Sequence, residues 1–317
     1  MLGRLRMSLD ECEDAYTKMS ERIFKPKRSS HNYFGRSSDF LGATGRFDSA
    51  ELEDAIKEII VHHQVKEGAP LKDPESPCKV YVVFLTIISL SPLCSSTADV
   101  SFIHSFVGAI LTSNSRAVVL RSYENPRMPE LLYNRCTIWE ACRATSAATT
   151  FFEPITIGPH GQRFADGAVR YNNPVQQVYR EATNLWPQRM PTALLISIGT
   201  GSAPGPSFEG DIANIVKAMK QIVTETQSAA DDFMYDHENM VDQDLLFRFN
   251  VDQGLTDVGL EEYKKRREIA DATHAYLYSG ETRQKWRKCV LKLRHLDPEG
   301  TVASFWSRPT HAVESIT

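Results

Sequence analysis

The sequence predicts an α/β fold, because short strand patterns alternate with amphipathic helix patterns along the chain. Ala117–Leu120 is a short β-rich run, and Leu194–Ile198 is an apolar run of strand length. A third strand pattern alternates apolar with polar residues and is expected to be half-buried; its apolar positions are Leu245, Phe247, Phe249 and Val251.

Capping signals mark the first two helices. Ser8 and Glu11 form a capping box that predicts a helix extending to about Phe24. Asp48 opens a second helix, and its apolar positions repeat at the helical period and predict one buried face: Leu52, Ala55, Ile56, Ile59 and Ile60.

Three further helices are predicted along the chain. Ile138–Ala148 is rich in small residues and is suited to close packing. Asn173 should cap a helix that has Pro174 in its first turn, where the missing N–H is tolerated. Asp211 should cap a long amphipathic helix that reaches Phe233.

The run Val80–Leu90 is the most apolar segment, VYVVFLTIISL. Pro92 and a polar Ser-Ser-Thr patch end it well short of the about 20 residues that a membrane-spanning helix needs. We therefore expect a buried strand and no transmembrane span.

Bulk composition indicates a globular intracellular protein. Hydrophobic residues make up 42% of the 317 residues, and the net charge of -4 gives no support for nucleic-acid binding. Neither a Cys-x-x-C nor a zinc-like His-Cys cluster occurs among the six cysteines, so we expect reduced packing residues and no metal. The N-terminus lacks the apolar core of a secretory signal, and the expected compartment is the cytosol, with peripheral contact to membranes.

Asp166 is the strongest candidate for chemistry. It lies in the segment IGPHGQRFADGAVRYN, after an apolar approach through Phe164 and Ala165 and before Gly167. A partly desolvated carboxylate can act as a general base toward a serine hydroxyl, and a glycine permits a sharp turn behind it. An Asp-Gly pair can equally mark a simple turn, so the dipeptide alone does not decide.

The surrounding motifs favour the catalytic interpretation. Asp166-Gly167-Ala168 resembles the DG[GA] motif of patatin-like lipid acyl hydrolases, and the other matching motifs follow in order: Ile138–Ala141, Arg143–Phe152, Asn172–Pro174 and Ser197–Gly201. The resemblance spans about residues 1–280 and is strongest to the fungal form. It implies a parallel sheet flanked by helices, a serine–aspartate dyad with Asp166 as the base, glycerolipid or phospholipid substrates at a membrane surface, and no metal or other cofactor.

Two family motifs are not found in this sequence. They are the Gly-rich oxyanion loop and the G-x-S-x-G elbow that carries the serine; the nearest strings, Gly35–Asp39 and Gly205–Glu209, lack the second glycine. Residues 1–5 resemble the helix that follows the elbow, so the domain is expected to be incomplete at its N-terminal part. We also expect residues 81–105 to be an insertion and residues 281–317 to be a peripheral helix with a loose tail.

Three interpretations remain open at this stage. The chain is part of a serine lipid acyl hydrolase, or a catalytically dead module that binds lipid or a partner, or an incomplete gene product that barely folds.

Other candidate groups predict no additional chemistry. Ser146 is expected to pack on a helix, Gly199–Gly201 to form a strand-end turn without a nucleotide, and His62 and His63 to point apart near a helix end. The basic run Lys264–Arg267 is flanked by acidic residues and is expected to be solvated.

Overall fold

A computed structural model describes residues 2–5, 7–25, 47–72, 80–83, 89–90, 103–127, 132–148, 151–171, 173–201, 226–255, 258 and 262–296. Its strands are β1 Val80–Val83, β2 Ser89–Leu90, β3 Ile103–Leu111, β4 Arg116–Arg121, β5 Ile155–Ile157, β6 Gln162–Asp166, β7 Leu194–Ile198 and β8 Leu246–Phe249. The α/β class predicted from the sequence is confirmed.

The helices lie between and around these strands. They are α1 Leu2–Leu5, α2 Leu9–Ile23, α3 Ser49–His62, α4 Ile138–Thr145, α5 Ala168–Tyr171, α6 Val175–Leu185, α7 at 226–236, α8 Glu238–Asp242, α9 Arg266–Tyr278 and α10 Gly280–Leu296. Short 3-10 turns cover Pro187–Thr192 and Tyr263–Lys265.

Two sheets form from the described strands. In the first, β3 is central: it pairs in parallel with β1 and antiparallel with both β4 and β6, and β6 pairs antiparallel with β5. In the second, β7 pairs in parallel with β8 and antiparallel with β2. Parallel strands are therefore present as expected, but antiparallel pairs accompany them, because β3 is joined to β4 by a tight turn at 112–115.

Capping explains where the N-terminal helices begin. Ser8 and Glu11 make the predicted capping box of α2, and Asp48 accepts a hydrogen bond from the amide of Ala50 at the start of α3. Four of the five predicted apolar positions of α3 are buried, and Ile59 is half-buried. They pack with Ile23 and Phe47 into one core cluster beside α4.

Small differences from the prediction appear at helix ends. Helix α4 ends at Thr145, before Ala148, and a second capping box between Thr137 and Glu140 opens it. Helix α6 begins at Val175, after Pro174, although the side chain of Asn173 does accept from the amide of Val175 at 3.2 Å. The start of the helix predicted from Asp211 lies outside the described residues.

A second core cluster connects the two sheets. It contains Phe106 of β3, Val119 of β4, Val178 of α6, Leu195 of β7 and Phe233 of α7. Strand β8 is more buried than a half-buried strand should be, because Leu246 faces this cluster while Phe247 and Phe249 face a different one beneath α10. Alternation of apolar and polar residues therefore underestimated its burial.

Candidate active site

Asp166 is the last residue of β6, and its backbone is held from two directions. Its Cα pairs with that of Ala109 in the central strand β3. Its amide donates a hydrogen bond to the carbonyl of Ala147 at 3.0 Å, just beyond the end of α4. The aspartate is thus fixed between a strand and a helix end, as a positioned base requires.

The carboxylate of Asp166 is half-buried and its pKa is raised to about 6. Burial is the main cause, because a low-dielectric surrounding disfavours the charged form. A hydrogen bond from the amide of Ala168 to Oδ1, at 2.9 Å, acts in the opposite direction. The group therefore stays ionised at neutral pH and is more basic than an ordinary carboxylate, which suits a proton acceptor.

Gly167 allows the backbone after Asp166 to lie directly on β3. A Cβ at this position would come within 2.6 Å of the Gly108 carbonyl carbon and 2.9 Å of the Ala109 amide nitrogen. Its φ is not among the positive values found at other glycines. The chain turns at Gly167, between the end of β6 and the start of α5, and the lack of a side chain there also permits this close approach to β3.

Tyr171 completes the packing behind the aspartate. A Cβ on Gly108 would lie 2.8 Å from Cδ2 of Tyr171, so the aromatic ring covers the strand where β3 has no side chain. Asn173 is buried and donates through Nδ2 to the carbonyl of Thr226 at 3.3 Å, which ties this segment to α7.

Comparison with known proteins identifies the family of this chain. The family model described as "Patatin-like phospholipase" matches residues 1–179. The chain belongs to the patatin-like phospholipase family. The match includes Asp166, Gly167 and Ala168.

Individual relatives carry phospholipase names. The chain is 27% identical over 258 residues to the human protein named Calcium-independent phospholipase A2-gamma, covering 79% of this chain and 28% of that protein. It is 26% identical over 232 residues to Phospholipase A I of Arabidopsis thaliana, covering 64% and 17%. The chain thus spans little more than a quarter of the first relative's length.

Ser146 is the C-cap residue of α4. It follows the last residue of α4, and its amide donates to the carbonyl of Cys142 at 3.2 Å. Within the described residues no hydrogen bond joins its hydroxyl to Asp166. The arrangement agrees with the packing role expected from the sequence, although Ser146 lies at the helix end and not inside the helix.

Gly199–Gly201 follows directly after β7 and packs against the segment after β8. A Cβ on Gly199 would lie 2.1 Å from the side-chain oxygen of Asn250, and Gly201 has a φ of 109°. The amide of Gly201 donates to that same oxygen at 2.9 Å. Both glycines are therefore required by packing between β7 and the segment after β8.

A buried polar network joins the end of β4 to α6 and was not predicted. Arg121 at the end of β4 makes two hydrogen bonds to Glu181 of α6, at 2.8 and 2.7 Å. Tyr123 and Asn125 also donate to Glu181, at 2.7 and 3.0 Å. Burial alone would raise the pKa of Glu181, but these hydrogen bonds lower it overall. The sequence feature that could have revealed this network is Glu181, a charged residue beside the apolar stripe of α6.

The histidine pair differs from the prediction. His62 ends α3 and His63 caps it, but the two rings lie 5.3 Å apart in an edge-to-face arrangement and do not point apart.

Among the described residues, no group of three or more His, Cys, Asp or Glu side chains is arranged to hold a metal ion. The four cysteines in that part of the chain are free thiols. No helix in the described ranges has the length and apolar character needed to cross a membrane.

Proposed function

We propose that this chain contributes the general base of a lipid acyl hydrolase, with Asp166 accepting the proton of a serine hydroxyl. The observation that carries the proposal is the carboxylate itself: it is half-buried, its pKa is raised to about 6, and its backbone is anchored to β3 and to Ala147. Family membership supplies the reaction class, which is ester hydrolysis on a lipid.

The proposed reaction has two steps. In the first, Asp166 accepts the serine proton while the serine oxygen attacks the ester carbonyl, and the protonated aspartic acid returns that proton to the departing alcohol. In the second, a water molecule gives a proton to Asp166 and attacks the acyl-serine carbonyl; the bond to the serine oxygen breaks, that oxygen takes the proton back from Asp166, and the fatty acid is released. Backbone N–H groups of an oxyanion loop would stabilise both tetrahedral intermediates.

The serine is proposed to come from a G-x-S-x-G segment outside this sequence, because no such motif occurs within the 317 residues. The two nearest strings, at 35–39 and 205–209, lie outside the described residues. Without the serine and the oxyanion donors, the chain by itself should be inactive.

The substrate is proposed to be a glycerolipid or phospholipid at a membrane surface, with the protein in the cytosol and in peripheral contact with the membrane. The printed names of the relatives support this class, since both are phospholipases.

A second candidate function is a catalytically inactive module that binds lipid or a protein partner. The missing G-x-S-x-G motif is the observation that favours it. The two candidate functions predict different results when a serine elbow is supplied: a hydrolase should gain activity, whereas an inactive binding module should not.

The decisive experiment joins this chain to a preceding segment that carries the Gly-rich loop and the G-x-S-x-G elbow. The chain alone should not react with a fluorophosphonate serine probe, whereas the joined protein should react and should hydrolyse a phospholipid. Asp166→Asn should then lower turnover about 100- to 10,000-fold, because asparagine keeps the shape but cannot accept the proton. Glu153→Gln is the matched control, since Glu153 precedes β5 and should have little effect.

The pH profile gives an independent test. Turnover of the joined protein should fall as pH drops through about 6, because protonation removes the base. Near-full turnover of the Asp166→Asn protein would refute the dyad, and triads through His160 or His237 would need testing. Probe labelling of the unextended chain would show that a nucleophile had been overlooked.

A further inference from the structure

The two C-terminal helices, α9 and α10, follow each other with only Ser279 between them, and they pack on the second sheet. Cys289 of α10 is buried against a cluster of apolar side chains from β7 and β8, which are Leu194, Ile196, Phe247 and Phe249, with Tyr276 of α9 packed beside it. The opposite face of α10 is left exposed to solvent.

That exposed face carries an arginine stripe. Arg283, Arg287, Leu291 and Arg294 follow one another at spacings of four, four and three residues, which places them along one side of a helix. All four are exposed, and Leu291 is 65% exposed. The stripe thus combines positive charge with a large apolar side chain that is mostly exposed to solvent.

The charge of α10 is strongly one-sided. Its 17 residues include six lysines or arginines and a single acidic residue, Glu281, although the whole chain has a net charge of -4. Among the described residues, Lys288 pairs with Asp244 at 3.0 Å, whereas Arg283, Arg287 and Arg294 have no acidic partner. The stripe is therefore a local positive patch on an acidic protein.

The basic run at the start of α9 shows the contrast. Lys265 pairs with Glu262 at 3.1 Å, and Arg266 pairs with Glu13 of α2. These charges are balanced within the protein, in agreement with the solvated face predicted for Lys264–Arg267. The arginine stripe of α10 lacks such compensation.

Two aromatic side chains of these helices are exposed. Tyr278, the last residue of α9, is 74% exposed. Trp286 is 50% exposed and rests its ring edge-to-face against Phe249, with centroids 5.9 Å apart. Tyrosine and tryptophan are enriched where a bilayer meets water, and arginine pairs with anionic headgroups there.

We propose that α10 docks this protein on an anionic phospholipid surface through the arginine stripe, with Leu291 entering the headgroup region. Charge complementarity selects the anionic surface, since a zwitterionic bilayer offers the three arginines no net counter-charge. The exposed Leu291 favours a lipid surface over a nucleic acid, because an aliphatic side chain is stabilised at the acyl boundary and gains little from phosphates. This inference rests on the proposed lipid substrate and adds the face that meets it.

The test is sedimentation of the purified chain with phosphatidylcholine vesicles that contain or lack phosphatidylserine. The chain should bind the anionic vesicles and bind neutral vesicles weakly. Replacing Arg283, Arg287 and Arg294 together by glutamine should weaken binding on the order of 100-fold at low salt, and the difference should shrink as salt is added. Leu291→Ala should weaken binding roughly tenfold at either salt concentration.

A matched control changes the same net charge elsewhere. Lys18, Lys66 and Arg116 are exposed on α2, on the loop after α3 and on β4. Their triple replacement by glutamine should leave vesicle binding within about threefold of the unaltered chain, because these residues lie off the docking face. Circular dichroism should show all variants folded.

Several outcomes would overturn the proposal. Equal losses in the two triple variants would mean that only net charge matters, and equal binding to neutral vesicles would remove the role of the stripe. Tighter binding to duplex DNA than to vesicles would assign the stripe to nucleic acid. Asp166→Asn should leave vesicle binding unchanged, so failed docking with intact hydrolysis in the joined protein would reject the docking face and not the proposed chemistry.

Discussion

At the residue scale, Asp166 combines two properties that oppose each other. Burial makes the carboxylate a better base and at the same time makes its ionised form unfavourable in the folded protein. A functional group of this kind is expected to lower stability at the pH where it works. The effect of the ionised carboxylate on the free energy of unfolding can be measured in this chain, and the measurement does not require a catalytic serine.

We predict that Asp166→Asn stabilises the chain at pH 8 by about 1–2 kcal/mol. The folded pKa of about 6 lies above the usual value of 3.8, so the folded state holds the proton more tightly and loses stability as pH rises between these values. A tenfold change in acid strength is worth about 1.4 kcal/mol, which sets an upper limit of about 3 kcal/mol before partial exposure is considered.

Urea unfolding at several pH values checks this prediction. The difference in free energy of unfolding between the unaltered chain and Asp166→Asn should disappear as pH falls toward 4, because both then carry a neutral side chain at position 166. Asp14→Asn, at an exposed carboxylate of α2, controls for general effects of charge removal. A gap that is constant with pH would mean that ionisation of Asp166 is not its cause.

Gly167 gives a second prediction at this scale. Gly167→Ala should destabilise the chain by about 1–3 kcal/mol, because the new Cβ would lie 2.6 Å from a backbone carbon of β3 that cannot move alone. Gly68→Ala is the control: nothing lies within 4 Å of its Cβ position, and its stability should change by less than about 0.5 kcal/mol. Thermal unfolding of both proteins decides, and equal effects would contradict the close-approach argument.

At the element scale, local sequence signals predicted the helices better than the strand pairs. The capping boxes and apolar stripes of α2 and α3 are local features, and the structure places both helices where those features begin. Pairing of β6 with β3 depends on residues more than fifty positions apart, so no local pattern could reveal it. The same reason hid the contact between Arg121 and Glu181.

The buried network between β4 and α6 leads to the third prediction. Glu181→Gln should destabilise the chain by about 3–5 kcal/mol, because the buried guanidinium of Arg121 would lose its carboxylate. Glu51→Gln removes a half-exposed partner of Arg22, bonded at 2.6 Å, and should cost less than about 1 kcal/mol. Chemical denaturation of the two variants compares them, and similar losses would show that the buried pair is no more important than the surface one.

At the scale of the whole molecule, the family motifs predicted more of the site than the strand patterns did. Asp166 ends strand β6, as expected from the sequence, and its role as the base stays a prediction. The close approach at Gly167 and the position of Tyr171 over Gly108 depend on backbone distances that sequence does not show. The role of residues 81–105 stays a prediction, and residues 84–88 and 91–102 lie outside the described part.

The last prediction is that deletion of residues 81–105 leaves a cooperatively folded chain. Pairing of β3 with β4 and with β6 involves Phe106–Leu111 only, and these residues stay in place. Phe106 also keeps its buried contacts in the cluster that includes Val119 and Leu195. The deletion removes most of β1, all of β2 and the first three residues of β3, together with their backbone pairs.

Urea unfolding of the deleted and full-length chains compares the two. If the segment is an insertion, a single transition should remain and its midpoint should change little, because the central strand keeps its pairs with β4 and β6. Deletion of 106–111 is the destructive control, since it removes the strand on which Asp166 is anchored. Loss of the transition in the first deletion would mean that the deleted segment belongs to the folded core, through the pairs of β1 with β3 and of β2 with β7 and through the hydrogen bonds between Ser105 and Ser122.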